Sequence, residues 1–241
     1  MNFSRSKLLT LLCLLVFGSG NVLRAVADSA IDEIIVSADF RDATLLDSSA
    51  SITVVDAEAI SQRQARHLEQ LLNLAPNVNF SSGASRGRFI QIRGIGERSQ
   101  FIEPLNPSVG ILVDGIDFTG IAGAATTMDI EQVEILRGPQ GTLYGANALA
   151  GLISLQSVQP GRQTEGNLSA SVGDYNTQTL SGSLGGPVSD DLGLRVAVQQ
   201  HSSDGFVDND FLNRDDTNNI DELSLRSILA WQASDNTRIK L

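Results

Sequence analysis

Residues 133–154 read VEILRGPQGTLYGANALAGLIS, and this stretch decides the fold. Two apolar runs flank a centre that is punctuated by glycines at 138, 141, 145 and 151. Because glycine adopts positive φ angles readily, this spacing predicts a backbone that turns tightly several times. The stretch holds one Glu, one Arg and one Tyr but no His or Cys. It therefore indicates a compact structural device and not a catalytic loop.

The segments upstream of this stretch read as the elements of a small α+β domain. Ser51–Asp56 (SITVVD), Phe89–Arg93 (FIQIR) and Val109–Asp114 (VGILVD) are predicted strands, and another strand is predicted within 128–136. The segment Glu58–Leu74 carries apolar residues, and those in its latter part have helical spacing. It predicts an amphipathic helix that Pro76 closes.

Downstream of residue 162 the pattern changes to alternation of apolar residues with small or polar ones, broken in the last full strand by Ser227. It predicts four full strands and a fifth that starts at Thr237, each with one apolar and one mostly polar face. A transmembrane barrel strand needs this pattern, and a soluble sandwich gives the same pattern with its faces reversed. The turns alternate short and long, the loop Ser202–Asn219 is rich in Asp and Asn, and Tyr175 and Trp231 lie near strand ends. These features favour the barrel.

Four tilted strands cannot close a barrel, and an open sheet edge is not tolerated in hydrocarbon. We therefore expect this sequence to be the N-terminal part of a longer protein. The alternative is a small soluble α+β protein with an appended hairpin.

The first 27 residues have the three parts of a cleaved secretory signal. Arg5 and Lys7 supply positive charge, Leu8–Phe17 is an apolar run, and 25–27 reads Ala-Val-Ala. The apolar run is about half of what a spanning helix needs, which argues against the alternative of an uncleaved anchor. The only cysteine, Cys13, lies inside this run, so the mature chain has no disulfide and no thiolate.

Charge and composition exclude several classes of function. The chain has 17 basic and 28 acidic residues, and the signal removes three basic residues and no acid, so the mature charge is −14. Nucleic-acid binding needs concentrated Lys and Arg, and is not expected. The two histidines, His67 and His201, stand in unrelated contexts, and no catalytic set has recognisable spacing. We expect no enzyme activity, no cofactor and no metal site, with His67 as a surface or satisfied histidine. The alternative is a weak Ca²⁺ site in the acidic loop, at the clustered Asp208, Asp210, Asp215 and Asp216.

Five short motifs resemble those of TonB-dependent outer-membrane receptors, in the order that this family uses. They are Glu33–Ala38 (EIIVSA), Ile92–Gly94 (IRG), Val113–Gly115 (VDG), Glu134–Pro139 (EILRGP) and Leu143–Gly145 (LYG). The resemblance implies an α+β plug domain, with a small mixed sheet and short helices, followed by the first antiparallel strands of a transmembrane β-barrel. The implied domains are a signal peptide at 1–27, a TonB box and flexible segment at 28–48, a plug at 49–160 and an incomplete barrel at 161–241.

The resemblance also implies which residues bind the energising partner. Glu33, Ile34, Ile35, Val36, Ser37 and Ala38 correspond to the TonB box, which the C-terminal domain of TonB captures as an added strand and which the ExbB–ExbD motor energises. The residue types fit this role, because Ile34–Ser37 is β-prone and lies in a flexible stretch, where its backbone can pair with a partner strand.

Two further sets of residues follow from the resemblance. Arg93 and Arg137 correspond to arginines that latch the plug to acidic residues of the barrel; the alternative is that each is a solvated strand-end arginine. The segments Glu97–Asn106 and Asp117–Thr127 are candidate ligand-facing apices, with Arg98, Gln100 and Phe101 singled out; the alternative is ordinary loops packed on the barrel.

The function that these expectations favour is energised uptake of a scarce solute across the outer membrane, with a ferric siderophore as the favoured cargo. Cobalamin, haem or a carbohydrate would use the same plug. The partners are TonB, the small-molecule ligand and outer-membrane lipid. The alternative from another class is an adhesin-like surface β-domain that binds without transport, for which a TonB box would have no use.

Overall fold

A computed structural model describes residues 35–36, 43–44, 48, 50–82, 87–98, 106–121, 125–234 and 236–241. The predicted signal peptide at 1–27 lies outside the described residues. The first part of the chain contains these elements: β1 Ile35–Val36, β2 Ala43–Thr44, β3 Ser51–Asp56, α1 Ala57–Gln62, α2 Glu69–Leu72, β4 Val78–Ser82, β5 Gly87–Ile92, β6 Ile95–Gly96, β7 Val109–Val113, β8 Ile116–Asp117, β9 Ile130–Arg137, α3 Gly141–Tyr144, a 3-10 turn Gly145–Asn147 and β10 Gly151–Ser157.

The second part of the chain is built from strands. They are β11 Glu165–Gly173, β12 Thr177–Ser189, β13 Leu192–Ser203, β14 Val207–Asn209, β15 Arg214–Thr217, β16 Ile220–Ser234 and β17 Thr237–Lys240. The four full strands and the fifth strand that starts at Thr237 are therefore confirmed. The predicted loop Ser202–Asn219 is partly wrong, because 202–203 belong to β13 and β14 pairs with β15 as a hairpin inside the loop.

Two five-stranded sheets organise the described chain. The first, here called the central sheet, has the order β3-β9-β10-β7-β8. In it β10 and β7 are parallel, and the other three pairs of neighbouring strands are antiparallel. The second, here called the wall sheet, has the order β11-β12-β13-β16-β17 and is antiparallel throughout. A mixed sheet with short helices, followed by antiparallel strands, confirms the predicted fold class.

The central sheet is buried on both of its faces. One face packs against the two short helices through a cluster that includes Leu71, Leu72, Ile135 and Ile153. The other face packs against the turn after β9 through Leu112, Leu136, Ala148 and Leu152. Two-sided burial explains why β9 and β10 read as continuous apolar runs and not as alternating ones.

The glycines of residues 133–154 serve two different purposes. Gly138 has φ +130° and Gly145 has φ +79°, so these two make the predicted turns. Gly141 instead begins α3, and Gly151 begins β10. A Cβ at Gly151 would overlap the carbonyl oxygen of Leu136 and lie 2.6 Å from Cδ1 of Ile92. The prediction of several tight turns is therefore right at two glycines and wrong at the other two.

The close approach at Gly151 gives a testable consequence. We expect Gly151→Ala to lower the free energy of unfolding by about 1–3 kcal/mol, because the added methyl group must displace backbone of the neighbouring strand. Gly141→Ala is the matched control, since a Cβ there has open space around it. Thermal unfolding of both variants measures the difference, and equal midpoints would contradict this packing.

The IRG and VDG motifs form two hairpin turns. Arg93 and Gly94 have φ +55° and +81°, and Asp114 and Gly115 have φ +52° and +83°. Each pair joins two antiparallel strands, β5 to β6 and β7 to β8. Positive φ at both central residues is the signature of a type I′ turn, which matches the twist of the flanking strands. The strands thus end one residue earlier than predicted, and Arg93 lies in a turn.

The single helix predicted over Glu58–Leu74 is wrong, since the segment forms α1 and α2 with an extended break between them. Gln64 takes φ +50°, and His67 forms an antiparallel bridge with Thr126. Leu68 N donates to Ala125 O at 3.2 Å, and Thr127 N donates to Arg66 O at 2.9 Å. Tertiary pairing with 125–127 therefore overrides the helical spacing.

Candidate functional site

The predicted partner-binding segment forms a strand where it is described. Ile35 and Val36 pair antiparallel with Thr44 and Ala43. Val36 is fully buried, whereas Ile35 is 54% exposed. Glu33, Ile34, Ser37 and Ala38 lie outside the described residues. The described part of the segment is thus extended, as predicted, and one of its edges is already paired.

A buried polar group of β9 and β10 lies next to this strand. Gln132 Nε2 donates to the carbonyl oxygen of Ile35 at 3.1 Å and to Glu134 Oε1 at 2.7 Å. The amide of Gln156 on β10 donates to the same carboxylate oxygen. Glu134 is fully buried, so these amides replace the water that an ionised carboxylate would otherwise require. Sequence reasoning missed this group because Gln and Glu look unremarkable inside a strand.

The segment before β9 is attached to the wall sheet by a two-point ion pair. Arg195 on β13 donates from Nε and Nη2 to Asp129 Oδ2 and Oδ1, both at 2.6 Å. The two side chains are 10% and 8% exposed. A planar guanidinium matches a carboxylate in this fork geometry, which adds orientation as well as energy.

Two further contacts join the same segment to the wall sheet. Arg226 on β16 donates from Nη1 to the carbonyl oxygen of Met128. His67 Nε2 lies 3.0 Å from Glu222 Oε2, also on β16. Together with the Asp129–Arg195 pair, these contacts form what we call the seam. It joins Asp129 to Arg195, Met128 to Arg226 and His67 to Glu222, and the second residue of each pair lies on the wall sheet. His67 is buried and paired, so its prediction as a satisfied histidine is confirmed.

A polar cavity of about 440 Å³ lies beside the seam. Serine, threonine, asparagine and glutamine side chains of β11, β12 and β13 line its outer side, and α1 with Arg66 lines its inner side. Burial lowers the pKa of the Arg66 guanidinium below its ordinary value. The segment around α1 and the wall sheet therefore face each other across a polar cavity. The contacts of the seam join the two parts directly.

The predicted latch arginines lie on the central-sheet side. Arg137 Nη1 donates to the carbonyl oxygen of Pro76 at 3.3 Å, and its Nε has no hydrogen-bond partner among the described residues. A Cβ added to Gly138, the residue after Arg137, would lie 3.6 Å from Nη1 of Arg93. A barrel carboxylate as the partner of either arginine stays a prediction. Within the described chain, the seam makes the ion pairs to the wall.

The predicted ligand-facing residues are only partly described. Gln100 and Phe101 lie outside the described residues. Arg98 is exposed, and its carbonyl oxygen accepts a hydrogen bond from Ser81 Oγ at 3.1 Å. Its role in ligand binding stays a prediction.

The second candidate apex is held down at both of its ends. Burial would raise the pKa of Asp117, but hydrogen bonds from Thr119 and Asn147 outweigh it and hold that pKa below its ordinary value. Thr126 bridges to His67, and Thr127 is buried with its hydroxyl donating to Ala65 O at 2.6 Å. Ile121 between them is exposed. Of the described residues, those near 121 therefore fit an apex better than the end at 126–127.

The wall sheet turns its polar face to the central sheet and its apolar face to the outside. Arg195, Arg226 and Glu222 all occupy the polar face, and so face the seam. The apolar positions of the same strands are exposed: Leu168, Val172, Leu180, Leu184, Leu194, Val196, Val198, Leu223 and Leu225. Val172 is 87% and Leu225 is 73% exposed. A soluble sandwich would bury this face, so its exposure agrees with the predicted orientation of barrel strands.

The described residues contain no group of three or more His, Cys, Asp or Glu side chains placed to hold a metal ion. No helix within the described ranges is long and apolar enough to cross a bilayer.

Comparisons with known proteins give a consistent result. A family profile described as the TonB-dependent receptor plug domain matches residues 44–152. The pesticin receptor of Yersinia enterocolitica is 30% identical over 171 residues, which are 70% of this chain and 25% of the relative. The vitamin B12 transporter of Vibrio vulnificus is 24% identical over 212 residues, 85% of this chain and 33% of the relative.

A solved structure agrees with these relatives. The ferric yersiniabactin uptake receptor of Yersinia pestis superposes with a TM-score of 0.69 at 28% identity, over 77% of this chain and 29% of that chain. The chain therefore spans about a quarter to a third of the length of the proteins it resembles. These proteins are receptors and transporters, which supports the predicted class and not the adhesin alternative.

Proposed function

The chain belongs to the TonB-dependent receptors through its plug domain, and on that premise we propose that it serves energised uptake of a scarce solute across the outer membrane. The observation that carries this proposal is the arrangement of three parts. An extended N-terminal strand, Ile35–Val36, lies on a compact mixed-sheet domain. That domain is fastened to the polar face of a sheet whose other face is apolar and exposed.

The exposed apolar face is the lipid-facing side of a membrane wall. Water would penalise such a surface, whereas outer-membrane lipid removes the penalty by covering it. The inner face presents serine, threonine and charged side chains to the plug, as a wet lumen requires. We take 1–27 as the export signal, 28–48 as the TonB box and its tether, 49–160 as the plug, and 161–241 as the first wall strands.

TonB moves the plug by binding its N-terminal strand. The C-terminal domain of TonB pairs with Glu33–Ala38 as an added strand, and backbone hydrogen bonds supply most of the attachment. The ExbB–ExbD motor of the inner membrane provides the pull. Because the seam holds the segment before β9 to the wall, the pull acts on the N-terminal part of the plug against a fixed point.

The solute is a ferric siderophore in this proposal. The similarity to the ferric yersiniabactin uptake receptor, at 28% identity, supports the assignment. Cobalamin is the main alternative cargo, because the chain is also similar to a vitamin B12 transporter. The protein carries out no chemistry on the solute, since its task is binding and passage.

Uptake measurements test the proposal directly. We expect cells that carry the intact gene to accumulate radiolabelled iron from at least one member of a ferric siderophore panel, and to lose this uptake when TonB is deleted. Labelled cobalamin is included in the same panel as the alternative cargo. Accumulation that persists without TonB, or a failure to accumulate any member of the panel, would contradict the proposed function.

A further inference from the structure

The polar cavity beside the seam is lined by a cation that has no partner in the described chain. The guanidinium of Arg66 borders this cavity of about 440 Å³ but makes no hydrogen bond and no ion pair with the described residues. We propose that the cavity is a binding site for an oxyanion, such as a phosphate or a carboxylate group, with Arg66 as its cationic ligand. This inference goes beyond the proposed function, which assigns no ligand to the boundary between the plug and the wall.

The balance of charges in the cavity leaves Arg66 uncompensated. Among the described residues, the charged ones that line it are Arg66, Arg195 and Asp129, and Arg195 engages both carboxylate oxygens of Asp129. The nearby carboxylate of Glu222 is paired with His67. Burial lowers the pKa of Arg66, and no carboxylate offsets that effect. A desolvated cation without a counter-ion is costly, and an anion in the cavity would relieve this cost.

The rest of the lining can donate hydrogen bonds to an oxyanion. The hydroxyls of Ser169 and Ser181 share one hydrogen bond of 2.7 Å, which uses one of their two protons and leaves the other for a bound group. Hydroxyl and amide groups of Ser171 and Gln199 line the same cavity. A guanidinium that is accompanied by such donors suits the oxygen atoms of phosphate and carboxylate. Because one water takes about 30 Å³ of liquid volume, the cavity has room for such a group together with several waters.

The backbone at Arg66 is held in place by its neighbours. Its N–H donates to Oε1 of Gln70, and its carbonyl oxygen accepts from the N–H of Thr127 at 2.9 Å. The next residue, His67, is buried and pairs with Glu222 on the wall sheet. The guanidinium therefore extends from a segment that is already fixed, so less ordering is needed when an anion binds.

Phosphorus NMR of inorganic phosphate measures the occupancy of the cavity. Phosphate is titrated against the purified full-length receptor, in a detergent without phosphate groups and at an ionic strength held constant with chloride. We expect saturable broadening of the phosphate signal, and an affinity about tenfold weaker for Arg66→Gln, which loses a charged donor. Arg63→Gln is the matched control, since Arg63 follows α1, is exposed and does not line the cavity. No saturable binding by the wild type, or equal affinity of the three forms, would overturn the proposal.

Thermal unfolding of the same variants tests whether Arg66 has a structural partner instead. If Arg66 were paired with a carboxylate elsewhere in the receptor, its loss would lower the unfolding midpoint in the absence of phosphate. We expect an unchanged or higher midpoint for Arg66→Gln, because the substitution removes a desolvated charge without a counter-ion. Added phosphate is expected to raise the midpoint of the wild type and of Arg63→Gln more than that of Arg66→Gln. A lower midpoint of Arg66→Gln without phosphate would show a structural ion pair and refute the oxyanion site.

An oxyanion can reach the cavity as a free ion or as an acidic group of the solute. Uptake of radiolabelled iron by energised cells distinguishes these two sources, and only this measurement depends on the proposed function. Slower uptake by Arg66→Gln than by Arg63→Gln, at equal affinity of the cells for the solute, assigns the cavity to an acidic group of the solute. Equal uptake by the two variants assigns it to a free ion. Uptake by none of the three forms would contradict the proposed function, whereas the phosphate titration decides the oxyanion site in every case.

Discussion

A proline in place of Val36 abolishes energised uptake while leaving ligand binding intact. Proline removes the backbone N–H at this position and restricts its φ angle, so the strand loses a donor that TonB needs for pairing. We expect the uptake rate to fall to that of cells without TonB. The solute is bound by outward-facing loops, so its affinity for the cells is expected to stay unchanged.

Two measurements on the same cells check this result. Uptake of the radiolabelled solute is followed in energised cells, and equilibrium binding is measured after the proton gradient is collapsed. Val36→Ile is the matched control, because it keeps the N–H group, the β-branched side chain and the buried position. Substantial uptake by the proline variant would show that TonB engages the receptor elsewhere.

Substitution of Asp129 by asparagine loosens the plug from the wall. Arg195 would then be left buried without its carboxylate, and removal of one partner of a buried pair costs about 3–5 kcal/mol. The polar cavity beside the pair lets water approach, which places the loss at the lower end, about 3 kcal/mol. We expect a lower midpoint of thermal unfolding and entry of large antibiotics that the intact plug excludes.

An exposed pair on β15, in the β14–β15 hairpin outside the wall sheet, gives a control for this experiment. Asp216 pairs with Arg214 at 2.7 Å, but these side chains are 45% and 55% exposed. We expect Asp216→Asn to leave both unfolding and antibiotic exclusion unchanged, because water and salt screen such a pair. The double variant Asp129→Asn with Arg195→Met is expected to recover stability, since no uncompensated charge remains and asparagine tolerates the φ of +55° at position 129. If Asp129→Asn behaves like Asp216→Asn, the seam does not hold the plug.

The fold could be predicted from the sequence because its signals are local. Alternation with period two identified the wall strands. The type I′ turn at Asp114–Gly115 was not predicted, although an Asp-Gly pair between two apolar runs is a local signal for such a turn. The predicted helix over 58–74 was wrong because of contacts that are distant in the sequence. Residues 65–68 pair with 125–127, about 60 positions away in the chain, and a window of helical spacing contains no information about such a partner.

The functional site was predictable only in part. The extended nature of Ile35–Val36 follows from its residue types, whereas its hydrogen bond from the Gln132 side chain joins residues that lie 97 positions apart. Three charged residues, Arg195, Glu222 and Arg226, occupy inward positions of the alternating strands, and the sequence analysis did not use this. A charge at such a position needs a partner in the lumen. That rule, applied to the predicted alternation, would have indicated three plug contacts without naming Asp129.

The central claim is that TonB moves this plug by gripping the strand that follows the export signal. Its most direct test is a titration of the purified mature receptor, loaded with its solute, against the TonB C-terminal domain, with and without residues 33–38. We predict saturable binding to the intact receptor and no measurable binding after the deletion. Equal binding by the two forms, or no binding by the intact form, would contradict the claim.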